Sequence, residues 1–304
     1  MIAEKYINPF TDFGFKKIFG EEANKDLLID FLNELLTDKG KIIDLTYLKS
    51  EHLGTTELDR KAIFDIYCET DKGEKFIVEM QRAKQDYFKD RSLYYLTFPI
   101  QEQAIKGDWS YKLSPVYSVA IMDFVFDHAQ PDKLLHDVWL IDKLTQKVFY
   151  EKLRFLFIEI KKFEKNLTDC HSHFDKWLYV LKNLSRLDEL PAALQEEIFT
   201  KLFKVASIAS YDPKQLQAYR DSEKNYLDFM ASLKTSFKEG LVEGEKMGIE
   251  KGEKMGIEKG EKMGIEKGKI KEKIEIALAM KTEGFTTAQI ARITGLNEDE
   301  IVRL

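Results

Sequence analysis

Two acidic residues in the first third of the chain could bind a metal ion together. They are Asp65 and Glu79, which lie in the segment IFDIYCETDKGEKFIVEMQ of residues 63–81. If Asp71-Lys72-Gly73 forms a three-residue hairpin loop, the flanking strands pair so that Asp65 faces Glu79. Two facing carboxylates repel each other, and a hard cation such as Mg²⁺ between them removes that repulsion. Such a cation can activate a water molecule and offset the charge on a scissile phosphate.

The same hairpin also has a simpler interpretation. Strand alternation puts Asp65, Glu79 and Gln81 on one face and six apolar side chains on the other, which we expect to face the core. Those six are Phe64, Ile66, Cys68, Phe76, Val78 and Met80. The polar face could be a solvated outer surface on which the two acids splay apart. Spacing alone leaves both interpretations open, because the register depends on the assumed loop length.

The elements around this hairpin predict an α/β or α+β core with a mixed sheet. Apolar residues recur at helical spacing over 11–36, and residues 86–107 indicate a helix that ends at Gly107. Strands are predicted at about 42–49, 62–70, 75–81, Val116–Phe126, 137–142 and 153–160. The order is helix, three strands, helix, strand and then additions, which is typical of a layered mixed fold.

Several segments together resemble one known family. They are TDFGFKKIFG (11–20), FDIYCETDKGEKFIVEMQ (64–81), the helix with Arg91 and Tyr94-Tyr95, the stretch from Gly107 to Tyr111, and the glycine-studded charged tail. In these the chain resembles the Rpn family of recombination-promoting nucleases and transposases, within the PD-(D/E)XK nuclease superfamily. The resemblance covers nearly the whole chain. It implies a PD-(D/E)XK core of helix, three strands, helix and strand, a divalent metal, and DNA as substrate.

The resemblance also implies roles for the hairpin residues. Asp65 and Glu79 would be catalytic and would hold Mg²⁺, or Mn²⁺ or Ca²⁺, while Gln81 would orient water or phosphate. Gln81 stands where most of the superfamily has lysine, and glutamine can form hydrogen bonds but supplies no positive charge. We therefore expect a DNA endonuclease linked to recombination or transposition. The alternative is a catalytically weak DNA-binding or regulatory protein that keeps the fold and oligomerises through its tail.

Other side chains could support this site. Arg91 and Lys89, on the helix after the hairpin, could contact DNA phosphates or be ordinary surface cations. Tyr95 could line the cleft for DNA or simply pack. Asp12, in the entry helix region, could supply a further metal contact, whereas Asp59 could cap a turn.

The composition favours four regions in sequence. We expect a nuclease-like domain over 1–165, a helical extension over 166–239, a repeat segment over 240–269 and a small helix-turn-helix-like tail over 270–304. GEKMGIEK occurs three times in tandem in the repeat segment, and glycine falls at every fourth position from Gly240 to Gly268. That segment could be a solvated linker or marginal helix. It could also be a helix whose glycine ridge packs on a partner helix and makes a homo-oligomer.

The tail has the signals of short capped helices. Gly284 and Gly295 can end helices, Thr286 or Thr287 can begin one, and Asn297 with Glu300 resembles a capping box. The spacing is that of a helix-turn-helix, which could make the protein a metal-independent DNA-binding protein. The last helix opens with Glu298-Asp299-Glu300, which would repel phosphates, so this alternative is the weaker one.

Overall composition limits the protein class. The formal net charge of -6 counts against a protein that coats DNA, but a local basic groove could still hold phosphate. We expect no membrane span and no secretory signal, and two distant cysteines fit a cytoplasmic protein without disulfides. Cys170, His171 and His173 lack a second ligand pair at zinc-site spacing, so we expect a surface cluster at a helix start.

Overall fold

A mixed six-stranded sheet forms the centre of the first structural unit. The computed structural model describes residues 4–52, 62–104, 110–126 and 128–304. Contacts divide the chain into two units, Met1–Asp228 and Phe229–Leu304. The helices are α1 (Asp12–Phe19), α2 (Lys25–Leu35), α3 (Phe88–Gln101), α4 (His173–Asn183), α5 (Glu197–Ala206), α6 (Pro213–Thr282), α7 (Thr287–Thr294) and α8 (Glu298–Arg303). The strands are β1 (Leu45–Tyr47), β2 (Glu51–His52), β3 (Ala62–Ile63), β4 (Ile66–Thr70), β5 (Lys75–Gln81), β6 (Val116–Met122), β7 (Leu135–Ile141) and β8 (Val148–Glu159).

The strand order of the large sheet is β1-β4-β5-β6-β8-β7. β6 pairs in parallel with β5 and β8, and the remaining pairs are antiparallel. β2 and β3 form a separate antiparallel pair. Between α1 and β6 the chain therefore follows the predicted order of helices, strands, helix and strand. The prediction of an α/β fold with a mixed sheet and a helical C-terminal region is confirmed.

Both faces of the sheet are covered by apolar side chains. On one face, alternate residues such as Cys68 and Val78 join a large cluster with the helices α1, α2, α4 and α5. On the other face, Tyr67 and Ile77 pack with Leu96 of α3. The central strands are thus buried on both sides, which explains why their sequences are rich in apolar residues at almost every position.

The hairpin between β4 and β5 has the predicted register. Tyr67 pairs with Ile77 and Glu69 with Lys75, and the N–H of Gly73 donates to the carbonyl of Thr70 in the turn. Gly73 has φ +77°, a conformation that glycine adopts without strain. The assumption of a three-residue loop is therefore confirmed, and the predicted pairing holds from Glu69–Lys75 to Ile66–Val78, one residue before Asp65 and Glu79.

The strand predicted over 62–70 is interrupted, and this overturns one prediction about its faces. β3 ends at Ile63 and β4 begins at Ile66, because the N–H of Phe64 donates to the carbonyl of Ser50 instead of continuing along β5. Strict alternation is lost across the break. The prediction that Phe64 shares the face of Ile66 is wrong, since Phe64 packs in the cluster of Tyr67 on the opposite face. The other five apolar residues of the predicted core face lie in the large cluster.

The glycine repeat is helical, and all of its residues belong to α6. A Cβ added at any of the eight glycines from Gly240 to Gly268 would meet no heavy atom of the described residues within 4 Å. The segment is therefore a helix and not an irregular linker, and its glycine ridge faces open space in this chain. A partner helix on the ridge stays a prediction.

The last helices are capped as the sequence predicts. Thr286 and Asn297 each form a capping box, with Gln289 and Glu300 respectively. Gly284 and Gly295 have φ +89° and +68°. A small core consists of Ala277, Ile290 and Ile301. The second unit thus contains a packed helical module, although the four predicted region boundaries remain predictions.

Further predictions concern the residues at the start of α4, the end of α3 and the presence of a membrane span. Cys170 is buried and its thiol donates to the carbonyl of Asn166, while His173 lies between the carboxylates of Asp30 and Glu196. His171 is exposed as the surface-cluster prediction expects, whereas Cys170 is buried and His173 is only partly exposed. α3 ends at Gln101, and Gly107 and Asp59 lie outside the described residues. Within the described ranges, no helix has the length and apolar character that a membrane crossing requires.

Candidate active site

The strand break places the carboxylate of Asp65 against the neighbouring strand. The last pair of the β4–β5 ladder is Ile66 with Val78, so Asp65 and Glu79 are the next residues on the two strands. Oδ2 of Asp65 accepts a hydrogen bond of 2.8 Å from the N–H of Met80. The Asp65 carboxylate thus accepts the hydrogen bond that a main-chain carbonyl would accept in a continuous strand pair. This bond fixes the orientation of the carboxylate.

Glu79 and Gln81 are buried rather than solvated. Their exposed fractions are 8% and 5%, because α3 covers this face of the sheet. The side-chain amide of Gln81 donates to Oε2 of Glu79 at 2.8 Å, and Nη2 of Arg91 lies 3.6 Å from the same oxygen. The interpretation of this face as an outer surface on which acids splay apart is therefore wrong.

Burial and charge together make this pair costly in the absence of a cation. Burial raises the pKa of Glu79 to about 8, and the charge of Asp65 adds to the rise, against the opposing effects of Arg91 and Gln81. Burial also raises the pKa of Asp65, while the Met80 N–H, Lys16 and Arg82 favour its charged form. For Glu79, loss of hydration is thus a larger cause of the raised pKa than repulsion by Asp65.

Each carboxylate keeps one oxygen available. Among the described residues, neither Oδ1 of Asp65 nor Oε1 of Glu79 has a hydrogen-bond partner, and neither is sealed from solvent. No group of three or more His, Cys, Asp or Glu side chains in those ranges could hold a metal. The protein therefore offers two carboxylate oxygens, which suits a hard cation that keeps several water ligands.

Comparison with known families gives an independent result. A family model described as PD-(D/E)XK nuclease family transposase matches residues 9–236. The chain belongs to this family. The match includes Asp65, Glu79 and Gln81 and stops before the glycine repeat. Comparisons with curated proteins and with solved structures find no match.

The predicted supporting residues separate into two groups. Arg91 contacts Glu79, and its guanidinium lies 4.9 Å from the ring centre of Tyr95 and donates to Gln85 at 2.6 Å. Arg91 thus links Tyr95 to Glu79, and the roles of both residues toward DNA stay predictions. Lys89 is exposed, with its ammonium 5.2 Å from the ring centre of Phe126, and the described residues show no contact between it and the two carboxylates.

A cavity of about 520 Å³ adjoins Asp65 on the side of α1. Asp12 and Lys16 line it and form an ion pair of 2.8 Å. Ser222 of α6 lines it as well, and its hydroxyl accepts the N–H of Phe13. Sequence reasoning finds Asp12 but misses Lys16 and Arg82. The spacing of Asp12 and Lys16, one helical turn apart, is the signal that could have found the pair.

Proposed function

We propose that this protein is a divalent-metal-dependent DNA endonuclease that hydrolyses phosphodiester bonds in DNA recombination or transposition. One observation carries the proposal: the partly buried Asp65 and the buried Glu79 are the next residues beyond the last pair of β4 and β5, and each carboxylate has one oxygen uncommitted among the described residues. A protein that only needed to fold would gain stability by replacing such a pair. Membership in a nuclease family offers a functional reason for keeping two neighbouring carboxylates that lower the stability of the fold.

In this proposal Asp65 and Glu79 hold Mg²⁺, or Mn²⁺ or Ca²⁺, through those two oxygens. When bound, the ion would promote ionisation of a water molecule and offset negative charge on the phosphate. The N–H of Met80 orients Asp65, and the amide of Gln81 orients Glu79. The second N–H of the Gln81 amide can donate to water or to a phosphate oxygen.

The reaction is a displacement at phosphorus. The attacking water gives up a proton to solvent as its oxygen forms a bond to phosphorus, and the bond from phosphorus to the leaving sugar oxygen breaks. The leaving oxygen takes up a proton from solvent. We propose that the DNA backbone is contacted by Arg91 and Tyr95, beside Glu79, and by the exposed Lys89 at the start of α3.

We also propose a cellular location and an oligomeric state. We propose the cytoplasm as its location, where Cys68 and Cys170 stay reduced as the free thiols seen here. The glycine ridge from Gly240 to Gly268 is a proposed contact between copies of the chain in a homo-oligomer.

The test combines metal binding with cleavage. Wild type should gain melting temperature with Mg²⁺ or Mn²⁺, because an ion that binds only the folded state stabilises it by about 2.7 kcal/mol at 100 times its Kd. Asp65→Asn should gain much less, since asparagine can accept the Met80 N–H but lacks the charge. Wild type should nick plasmid DNA, while Asp65→Asn and Glu79→Gln should both be inactive.

Asp71→Asn is the matched control. This aspartate is exposed in the turn of the same hairpin, so its substitution should leave both the metal response and nicking unchanged. Equal metal responses in wild type and Asp65→Asn would refute the metal site.

The second candidate is a catalytically weak DNA-binding or regulatory protein. It is favoured by Gln81, which gives the site no cation and whose amide is engaged by Glu79. Metal-dependent DNA binding without nicking, at every divalent ion tested, would support this candidate over the endonuclease.

A further inference from the structure

Three side chains beside the hairpin carboxylates are poorly placed to bring a positive charge to the attacked phosphate. Gln81 is uncharged, and its amide donates to Glu79. Arg91 is engaged by Glu79 and Gln85. Arg82 is half-buried, with its guanidinium 5.8 Å from the ring centre of Tyr226. Phosphodiester hydrolysis builds negative charge on the phosphate oxygens, so a cation placed near them accelerates the reaction.

Lys16 has the accessibility and position that such a cation needs. Its side chain is 47% exposed, and it lines the cavity of about 520 Å³ that Asp65 also lines. The neighbouring Lys17 lines this cavity too, but its side chain is only 14% exposed and bonds to both carboxylate oxygens of Glu21. Within the described residues, Lys16 has a single ion-pair partner, Asp12, on the same exposed side.

The placement of Lys16 is fixed by the packing of α1. Thr11 caps the helix by accepting the N–H of Gly14, and Phe15, Ile18 and Phe19 are buried in the main core. The N–H of Phe13 donates to Ser222, which joins α1 to the first part of α6. A rigid helix thus presents Lys16 to the cavity, and precise placement is what electrostatic catalysis requires.

We propose that Lys16 donates a hydrogen bond to a non-bridging oxygen of the attacked DNA phosphate, and that Asp12 is its positioning residue. This inference rests on the proposed function. The ammonium keeps its proton throughout, while the water oxygen bonds to phosphorus and the leaving sugar oxygen departs. Lys16 thereby supplies from α1 the charge that Gln81 cannot supply from β5.

The first test does not depend on cleavage. Lysine amines of Asp65→Asn are acylated with and without a DNA duplex, and the modified residues are quantified by mass spectrometry. Lys16 should be protected by DNA, whereas Lys25, an ion-paired lysine at the start of α2, should react equally in both samples. Equal modification of Lys16 with and without DNA would overturn the proposal, whether or not the wild type cleaves.

The second test separates catalysis from binding. Lys16→Met should lower the single-turnover cleavage rate by roughly 10²- to 10³-fold. Mn²⁺ affinity should stay unchanged, and Lys16→Arg should restore part of the rate. Lys25→Met is the matched control and should cleave at the wild-type rate. A wild-type rate in Lys16→Met, or a loss confined to DNA affinity, would contradict the proposal.

The role of Asp12 is tested by measuring cleavage and the protection of Lys16 in Asp12 variants. Asp12→Ala should reduce both the cleavage rate and the protection of Lys16 by DNA, and Asp12→Glu should restore both in part. A merely structural aspartate would lower the melting temperature without changing the protection of Lys16. If the wild type is inactive but DNA protects Lys16, the endonuclease proposal fails and the phosphate contact stands. If the wild type is active and Lys16→Met is equally active, the endonuclease proposal stands and the role of Lys16 fails.

Discussion

The side-chain amide of Gln81 donates to Oε2 of Glu79 at 2.8 Å, two positions away on the same face of β5. The residue that replaces the lysine of most of the superfamily therefore contacts one of the two carboxylates directly. Its first effect is to orient Glu79, and this has a measurable consequence for metal binding.

Gln81→Met should weaken the site without removing a carboxylate. Methionine keeps the volume of the side chain but leaves Glu79 without its amide donor, and loss of such a supporting hydrogen bond costs about 10- to 100-fold in metal affinity or activity. Calorimetric titration with Mn²⁺ measures the change. Gln85→Met, an exposed glutamine that bonds to Arg91, should have a smaller effect. Equal Mn²⁺ affinity in wild type and Gln81→Met would contradict this role.

Glu79 should make the metal-free protein less stable as the pH rises. Burial raises its pKa to about 8 from the ordinary value of 4.5, so the folded protein binds this proton more tightly than the unfolded chain does. The resulting stabilisation is complete below the unfolded pKa and is lost as the pH rises through the folded pKa. Between these two pKa values, the free energy of unfolding should therefore fall less steeply with rising pH in Glu79→Gln than in wild type. At the upper end of this pH range, Glu79→Gln should be more stable than wild type.

Urea titrations in the presence of a chelator, at several pH values across that range, check the Glu79 prediction. Glu151→Gln, at an exposed strand position, is the control and should follow wild type. If wild type and Glu79→Gln lose stability equally with rising pH, Glu79 is ionised in the folded protein at neutral pH, and the prediction fails.

Arg91→Ala should weaken DNA binding in a salt-dependent way. Each phosphate contact that is lost removes released counterions, so the slope of log Kd against log salt concentration should fall by about 1. Fluorescence anisotropy with a labelled duplex in chelator measures binding without cleavage. Lys89→Ala, on the same helix but more exposed, provides the comparison. An unchanged slope in Arg91→Ala would restrict Arg91 to its contact with Glu79.

Removal of residues 240–304 should leave a folded protein that binds metal. The family match ends at residue 236, and the buried side chains of the first unit lie before Asp228. Circular dichroism and the Mn²⁺-dependent melting temperature test this. A truncated protein without a cooperative melt would place the boundary elsewhere. If light scattering shows a larger assembly only for the full chain, the glycine ridge is its contact.

The sequence alone determined the local features of the hairpin. Asp71 to Gly73 specify a turn, and the turn length sets the register up to Ile66–Val78, the last pair before Asp65 and Glu79. The caps at Thr286 and Asn297 were predictable for the same reason, because a cap involves residues only three positions apart. In each case the interacting groups are close in sequence.

Tertiary structure decided the rest. Phe64 changes face because the chain at this point pairs with Ser50 rather than with β5, a choice between two distant strands. Glu79 is buried because α3 covers the sheet, and this raises its pKa more than the neighbouring charge does. Lys16 reaches the cavity of Asp65 only because the core packing of α1 sets its direction. Long-range contacts and the loss of hydration on burial depend on what surrounds a residue in three dimensions. The spacing of residues in the sequence does not determine that environment.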